Sequence, residues 1–135
     1  MKLDHVALAT RDVAGPLDTL VGELGGLVLS GGHGVGFRPM QVFLGDDRGG
    51  MKVELLEPWE PERNDFLERF VARHGAGPHH LTFKVPDLAA AIEDVRAAGY
   101  YPSASTSPTR SGARPSSRQA RLTAPSCSSR SPTHR

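Results

Sequence analysis

Apolar and polar positions alternate over residues 2–10, and this two-residue period predicts a strand. Asp12 stands where it can cap a helix over roughly 13–24, with Pro16 in its first turn and Gly25-Gly26 at its end. Leu27-Val28-Leu29 reads as a second strand and Gly31-Gly32-His33-Gly34 as a turn. Residues 37–44 form a third strand, Asp46-Asp47-Arg48-Gly49-Gly50 a hairpin turn, and residues 51–57 a fourth strand. Pro58 and Pro61 then break the chain. Phe66, Leu67, Phe70 and Val71 recur at helical spacing and predict a helix over about 62–74, stopped by Gly75-Ala76-Gly77-Pro78. A strand at 79–85 and a helix at 87–98 follow.

The last two elements repeat the first two. With an offset of seventy-five residues, His5 falls on His80, Asp12 on Asp87, Val13 on Leu88, Leu17 on Ile92 and Leu20 on Val95. Each copy is a short strand carrying a histidine, a turn opened by Asp, and an amphipathic helix. The repetition predicts a duplicated fold that brings two equivalent histidines together.

Charge divides the chain. Residues 1–100 hold ten Lys and Arg against all fifteen acids, and residues 101–135 hold six Arg and no acid. Cys127 is the only cysteine, which excludes an intrachain disulfide. No apolar run is long enough to span a membrane, and Met1-Lys2-Leu3-Asp4 lacks the apolar core of a signal peptide. A cytoplasmic protein without a membrane partner is expected.

Paired histidines on separate strands make a plausible start for a metal site. Taken singly, His5 or His80 reads as a half-buried histidine bonded to a neighbour; their equivalence changes the weighing. Glu54 is the third candidate. In Met51-Lys52-Val53-Glu54-Leu55-Leu56, alternation places Glu54 and Leu56 on one face and Val53 and Leu55 on the other. A carboxylate among such neighbours needs a partner, either a cation or a basic side chain such as Lys52 or Arg38. Two imidazoles and one carboxylate suit a divalent ion with positions left for water or substrate. His79 is expected on the face opposite His80. His33 lies in a glycine loop and His74 near a helix end; Glu57 is expected to face solvent and Trp59 to cover the core edge.

The stretches LDHVALATRDV, MKVELLEP and HGAGPHHLTFKVPDLAAAIEDVRAAG resemble the vicinal oxygen chelate superfamily, and among its members those like methylmalonyl-CoA epimerase. The resemblance covers about residues 2–100. It implies an α+β fold of paired βαβββ modules forming a cupped mixed sheet around one divalent metal (Co, Mn, Ni, Fe or Zn). Carried over by position, His5, Glu54 and His80 are the first three metal ligands. The implied activity is epimerisation of an acyl-CoA through a metal-stabilised enolate. Glyoxalase-like lyase chemistry, extradiol dioxygenase chemistry and metal-free ligand sequestration are the alternatives. The epimerases look for a carboxylate base near the metal, and no Asp or Glu occurs between Leu27 and Leu44, so the catalytic residue is unassigned.

The second module is expected to stop after its first strand and helix. The first module spans 1–58, a connecting helix 59–77, and the partial second module 78–100. Residues 101–135 are rich in Ser, Arg and Pro, and Leu122 is their one large aliphatic side chain, so disorder is expected. The family's fourth ligand, a Glu or Gln on the last strand, is missing. Back-translation of residues 103–135, read from the third base of each codon, permits YPVGVNLADAVWREAFL and then AHGTVVQLAEP, a loop and strands of the missing kind. A shifted reading frame near Pro102 is therefore expected. A basic arm for nucleic acid is disfavoured, because no aromatic residue or helical charge pattern follows Tyr101. A homodimer is a partner arrangement that would complement the truncated half.

Overall fold

A computed structural model describes residues 1–100 and the backbone of residues 119–122. The elements are β1 (Lys2–Ala9), α1 (Ala14–Leu17) continued as a π-helix over Asp18–Glu23, β2 (Leu27–Gly31), β3 (Phe37–Asp46), β4 (Gly49–Pro58), α2 (Phe66–His74), β5 (Gly77–Lys84), α3 (Leu88–Ala97) and β6 (Gln119–Leu122). The strands form one mixed sheet in the order β2-β3-β4-β1-β5-β6. β1 runs parallel to β4, and the other neighbours are antiparallel. The α+β class and the β-α-β-β-β order of the first module are as the sequence predicts.

Several details differ. The helix expected over 13–24 is only briefly α-helical before it widens into the π-helix, and Gly22 inside it makes such a departure cheap. Asp12 still accepts a hydrogen bond from the Ala14 N–H at its start. In the second copy Asp87 caps α3 by accepting from the N–H groups of Ala89 and Ala90. β6 adds four residues to the free edge of β5, pairing Leu81 with Leu122. An uncapped strand edge offers unpaired N–H and C=O groups, which a segment of almost any composition can satisfy. The disorder and shifted frame expected for the rest of 101–135 lie outside the described residues.

Val42, Val53 and Leu55 are buried on one face of the sheet, and the cluster under α2 lies on the other. Ala7 and Ala9 of β1 and Leu56 of β4 pack against Leu67 and Val71 of α2, flanked by Phe37, Phe66 and Phe70. Glu54 shares the Leu56 face, as alternation requires, and so do His5 and His80 through their neighbours Ala7 and Thr82. α3 buries none of its residues. Beneath it runs an apolar groove of about 360 Å³ lined by Phe83, Val85, Leu88, Ile92 and Val95. No helix among the described residues is long and apolar enough to cross a membrane.

The β1–β5 pair carries an internal symmetry. His5 pairs with Thr82, Val6 with Leu81 and Ala7 with His80. With the seventy-five-residue offset these are mutually equivalent pairs, so a local two-fold axis passes between Val6 and Leu81. The register slips by one residue at two places, leaving Asp4 on β1 and His79 on β5 each as the extra residue of a bulge. Asp4 and His79 are also equivalent under the offset.

Candidate metal centre

The structure brings His5, Glu54 and His80 together. Their three strands, β1, β4 and β5, are adjacent in the centre of the sheet, and all three residues are buried. Glu54 Oε2 lies 3.3 Å from His5 Nε2 and 3.8 Å from His80 Nε2. One potential donor atom from each residue lies within 4.8 Å of the others. The two imidazole rings meet edge to face, with centroids 5.9 Å apart.

This arrangement fits a small divalent cation. Donor bonds of about 2.0–2.2 Å place donors roughly 3–3.5 Å apart, close to the observed separations. His5 Nε2 and Glu54 Oε2 are buried yet make no hydrogen bond. Buried polar atoms left without hydrogen bonds cost free energy, and a shared cation satisfies both.

The donors are held from behind. Glu54 Oε1 accepts from Gln41 Nε2 at 3.2 Å, Gln41 being its cross-strand partner on β3. His5 Nδ1 lies 3.0 Å from Asp4 Oδ2. The other Asp4 oxygen, Oδ1, lies 2.8 Å from Lys52 Nζ and 2.9 Å from Lys84 Nζ. Burial alone would raise the Asp4 carboxyl; hydrogen bonds from Lys52, Lys84 and His5 outweigh it and hold the group well below the usual carboxylate range. Behind His80, the Nδ1 atoms of His79 and His80 are 2.8 Å apart, so one donates and the other accepts. The His79 ring stands on Phe70 (4.6 Å between centroids) and Phe66 (6.0 Å).

Two expectations, for His79 and Glu57, are corrected here, and the alternative partners weighed for Glu54 are ruled out. His79 is not on the face opposite His80: the bulge interrupts alternation and turns both rings toward α2. Glu54 does not pair with Lys52 or Arg38. Lys52 is taken by Asp4, and Arg38 pairs with Glu57, which is mostly buried rather than solvent-facing. Arg38 also lies 4.2 Å over the Trp59 ring, with His33 on the same ring, so Trp59 organises the glycine loop. His74, at the end of α2, stacks on Phe70. His33 and His74 are not in the central cluster.

Asp4, Gln41 and Thr82 are the site residues that sequence reasoning missed. Thr82 is 1% exposed and neighbours His5 across the strands, with a hydroxyl that makes no hydrogen bond. Asp4 stands immediately before His5, where strict alternation would put it on the opposite face; the bulge brings it round.

The sequence profile of the glyoxalase/bleomycin resistance protein/dioxygenase superfamily matches residues 4–117. Among solved structures, methylmalonyl-CoA epimerase from Mycobacterium tuberculosis is 22% identical, with a TM-score of 0.61 over 73% of this chain and 64% of that chain. A variant of Streptomyces coelicolor methylmalonyl-CoA epimerase in complex with 2-nitronate-propionyl-CoA is 25% identical, with a TM-score of 0.60 over 73% of this chain and 70% of that one. A hypothetical protein from Bacillus halodurans is 29% identical, with a TM-score of 0.59 over 73% and 68%. The chain thus spans less than two thirds of the length of the mycobacterial enzyme. No curated protein matches the chain.

Proposed function

The chain belongs to the glyoxalase/bleomycin resistance protein/dioxygenase superfamily, and from that membership we propose a divalent-metal-dependent enzyme that epimerises an acyl-CoA such as methylmalonyl-CoA. The observation that carries this reading is the buried convergence of His5, Glu54 and His80 on one face of three adjacent strands. Solved relatives that bind a CoA thioester analogue support the substrate class.

His5, Glu54 and His80 would hold the cation, and three protein donors leave room for substrate oxygens. Such an ion supplies Lewis acidity, which polarises a carbonyl and acidifies the adjacent C–H. Gln41 and Asp4 fix two of the donors from outside. The apolar wall of Leu67, Val71, Phe66 and Phe70 excludes water on the α2 side. Proton removal from substrate is assigned to no side chain, since no carboxylate occurs between Leu27 and Leu44. We also retain a shifted frame near Pro102 as the origin of the Ser/Arg/Pro tail. The nucleotide sequence tests it, and early stops in the alternative frame would end the idea.

The functional test is metal analysis and Co²⁺ titration of the full chain. It is followed by NMR of deuterium exchange at C2 of methylmalonyl-CoA in D₂O, with and without added metal, on this chain and on the frame-restored chain. Stoichiometric cation uptake and metal-dependent exchange are expected, stronger in the restored chain. Acyl-CoA binding without any cation uptake would instead identify a sequestering protein. Uptake without exchange in either chain would move the assignment to lyase or dioxygenase chemistry.

A further inference from the structure

The Asp4 side chain is 3% exposed, and its two oxygens serve different partners. Oδ1 faces Lys52 Nζ and Lys84 Nζ at 2.8 and 2.9 Å; Oδ2 faces His5 Nδ1 at 3.0 Å. An ammonium group only donates, and an ionised carboxylate only accepts. His5 Nδ1 must therefore carry the proton that points at Asp4. In the neutral ring the lone pair is then at Nε2, the atom 3.3 Å from Glu54 Oε2.

We propose that Asp4 is a positioning residue that fixes the tautomer of His5, and that Lys52 and Lys84 fix which Asp4 atom does so. The consequence for cation binding rests on the proposed metal site. The tautomer itself does not, because it exists in the metal-free chain.

The lysines make the inference sharper than a simple carboxylate–histidine contact. In Asp4→Asn, one side-chain position remains an acceptor and the other becomes an NH₂ donor. Two ammonium groups require the acceptor at the Oδ1 position. The amide NH₂ must then face His5 Nδ1, which becomes an acceptor. The His5 proton moves to Nε2 and covers the atom that faces Glu54. A near-isosteric change should thus invert the tautomer, whereas Asp4→Ala should merely release it. Removing the lysines in the Asn background, as Asp4→Asn with Lys52→Met and Lys84→Met, takes away the two donors that select the acceptor at that position and should shift the proton back toward Nδ1.

Long-range ¹⁵N–¹H correlation spectra of the metal-free, ¹⁵N-labelled full chain read this directly, recorded at a pH where the ¹⁵N shifts themselves show the His5 ring to be neutral. Expected are Nδ1–H for His5 in the wild type, Nε2–H in Asp4→Asn, a shift back toward Nδ1–H in the triple variant, and a tautomer mixture in Asp4→Ala. A wild-type His5 protonated at Nε2 would overturn the proposal, and so would a folded Asp4→Asn chain that keeps the wild-type pattern. Should Asp4→Asn fail to fold, the wild-type and Asp4→Ala spectra still decide: one tautomer in both is fatal. Co²⁺ titration of the same proteins separates the two readings. Affinity should fall about 10–100-fold in Asp4→Ala and further in Asp4→Asn. If no protein binds Co²⁺ but the tautomers follow the predicted series, this proposal stands and the cation site falls. If Co²⁺ binds equally to all, the positioning role falls and the cation site stands.

Discussion

β1 and β5 are two versions of one strand, related by a local axis through Val6 and Leu81, and they differ where the chemistry lies. Each carries a histidine, and each has a bulge that turns the preceding residue toward that histidine. On β1 that residue is Asp4, a carboxylate clamped by two lysines. On β5 it is His79, an imidazole resting on Phe66 and Phe70. One backbone device thus serves two kinds of support. The Asp4 contact has a fixed direction of proton donation, and the His79 contact is one between two groups that can each donate or accept. The helices of the two copies are alike in one respect: neither α1 with its π-helix nor α3 contains a fully buried residue, and it is α2, which connects the copies, that covers the face carrying both histidines.

The largest effect should come from removing both equivalent histidines. His5→Ala with His80→Ala leaves Glu54 as the one remaining member of the cluster, and Co²⁺ titration should then detect no specific binding. Each single variant should retain weak binding, and the two residual affinities should be similar if the local symmetry extends to function. Next, Leu67→Ala should destabilise the chain by about 2–5 kcal/mol, because Leu67 is fully buried against Ala7, Ala9 and Leu56. Ile92→Ala, on the partly exposed α3, should cost about 1 kcal/mol or less. Urea denaturation of the two variants measures the contrast. Equal losses would mean that α3 is packed as tightly as α2.

A smaller effect separates the two supporting residues. Asp4→Ala should weaken Co²⁺ binding by about 10–100-fold, and His79→Phe, which keeps the stacking on Phe70, by about tenfold at most. The pH dependence of stability gives a second reading. The Asp4 carboxyl is depressed by its lysine and histidine contacts, despite burial that acts the other way. Its contribution to stability should therefore be complete above the unfolded value of about 3.9 and be lost only as pH falls toward the folded one. The stability gap between wild type and Asp4→Ala should be flat from neutrality to about pH 5 and close in stronger acid. A gap that closes near neutrality would point to a different group.

Much of this architecture is visible in the sequence. Alternation in Met51–Leu56 puts Glu54 on the Leu56 face, and that face is the one α2 covers. The offset that aligns His5 with His80 also aligns Asp12 with Asp87, and both aspartates accept from N–H groups at a helix start. What stays hidden is what a single inserted residue does. A bulge has no composition of its own, so nothing in Pro78-His79-His80 announces that His79 will join His80 rather than oppose it. The same blindness conceals Asp4, whose side chain strict alternation would aim away from His5. The long-range pairing of Arg38 with Glu57 and of Lys52 with Asp4 likewise depends on strand register, which local pattern leaves undetermined.

The smallest effect tests the last difference between the two strands. Ala7 and Thr82 are equivalent under the offset, and each lies across from the other strand's histidine. Ala7 is fully buried and apolar, as a residue packed under α2 should be. Thr82 is equally enclosed but carries a hydroxyl with no hydrogen bond. A buried hydroxyl in that state costs about 1–3 kcal/mol relative to one that is satisfied. Thr82→Val replaces the hydroxyl with a methyl group of similar size. The metal-free chain should therefore be unchanged or up to about 1 kcal/mol more stable in urea denaturation, since there is no bond to lose. A loss of more than about 1 kcal/mol would show instead that water or a neighbouring carbonyl satisfies Thr82 in solution. In that case β5 would differ from β1 by a structural hydrogen bond, and the hydroxyl would not be free to meet a ligand at His5.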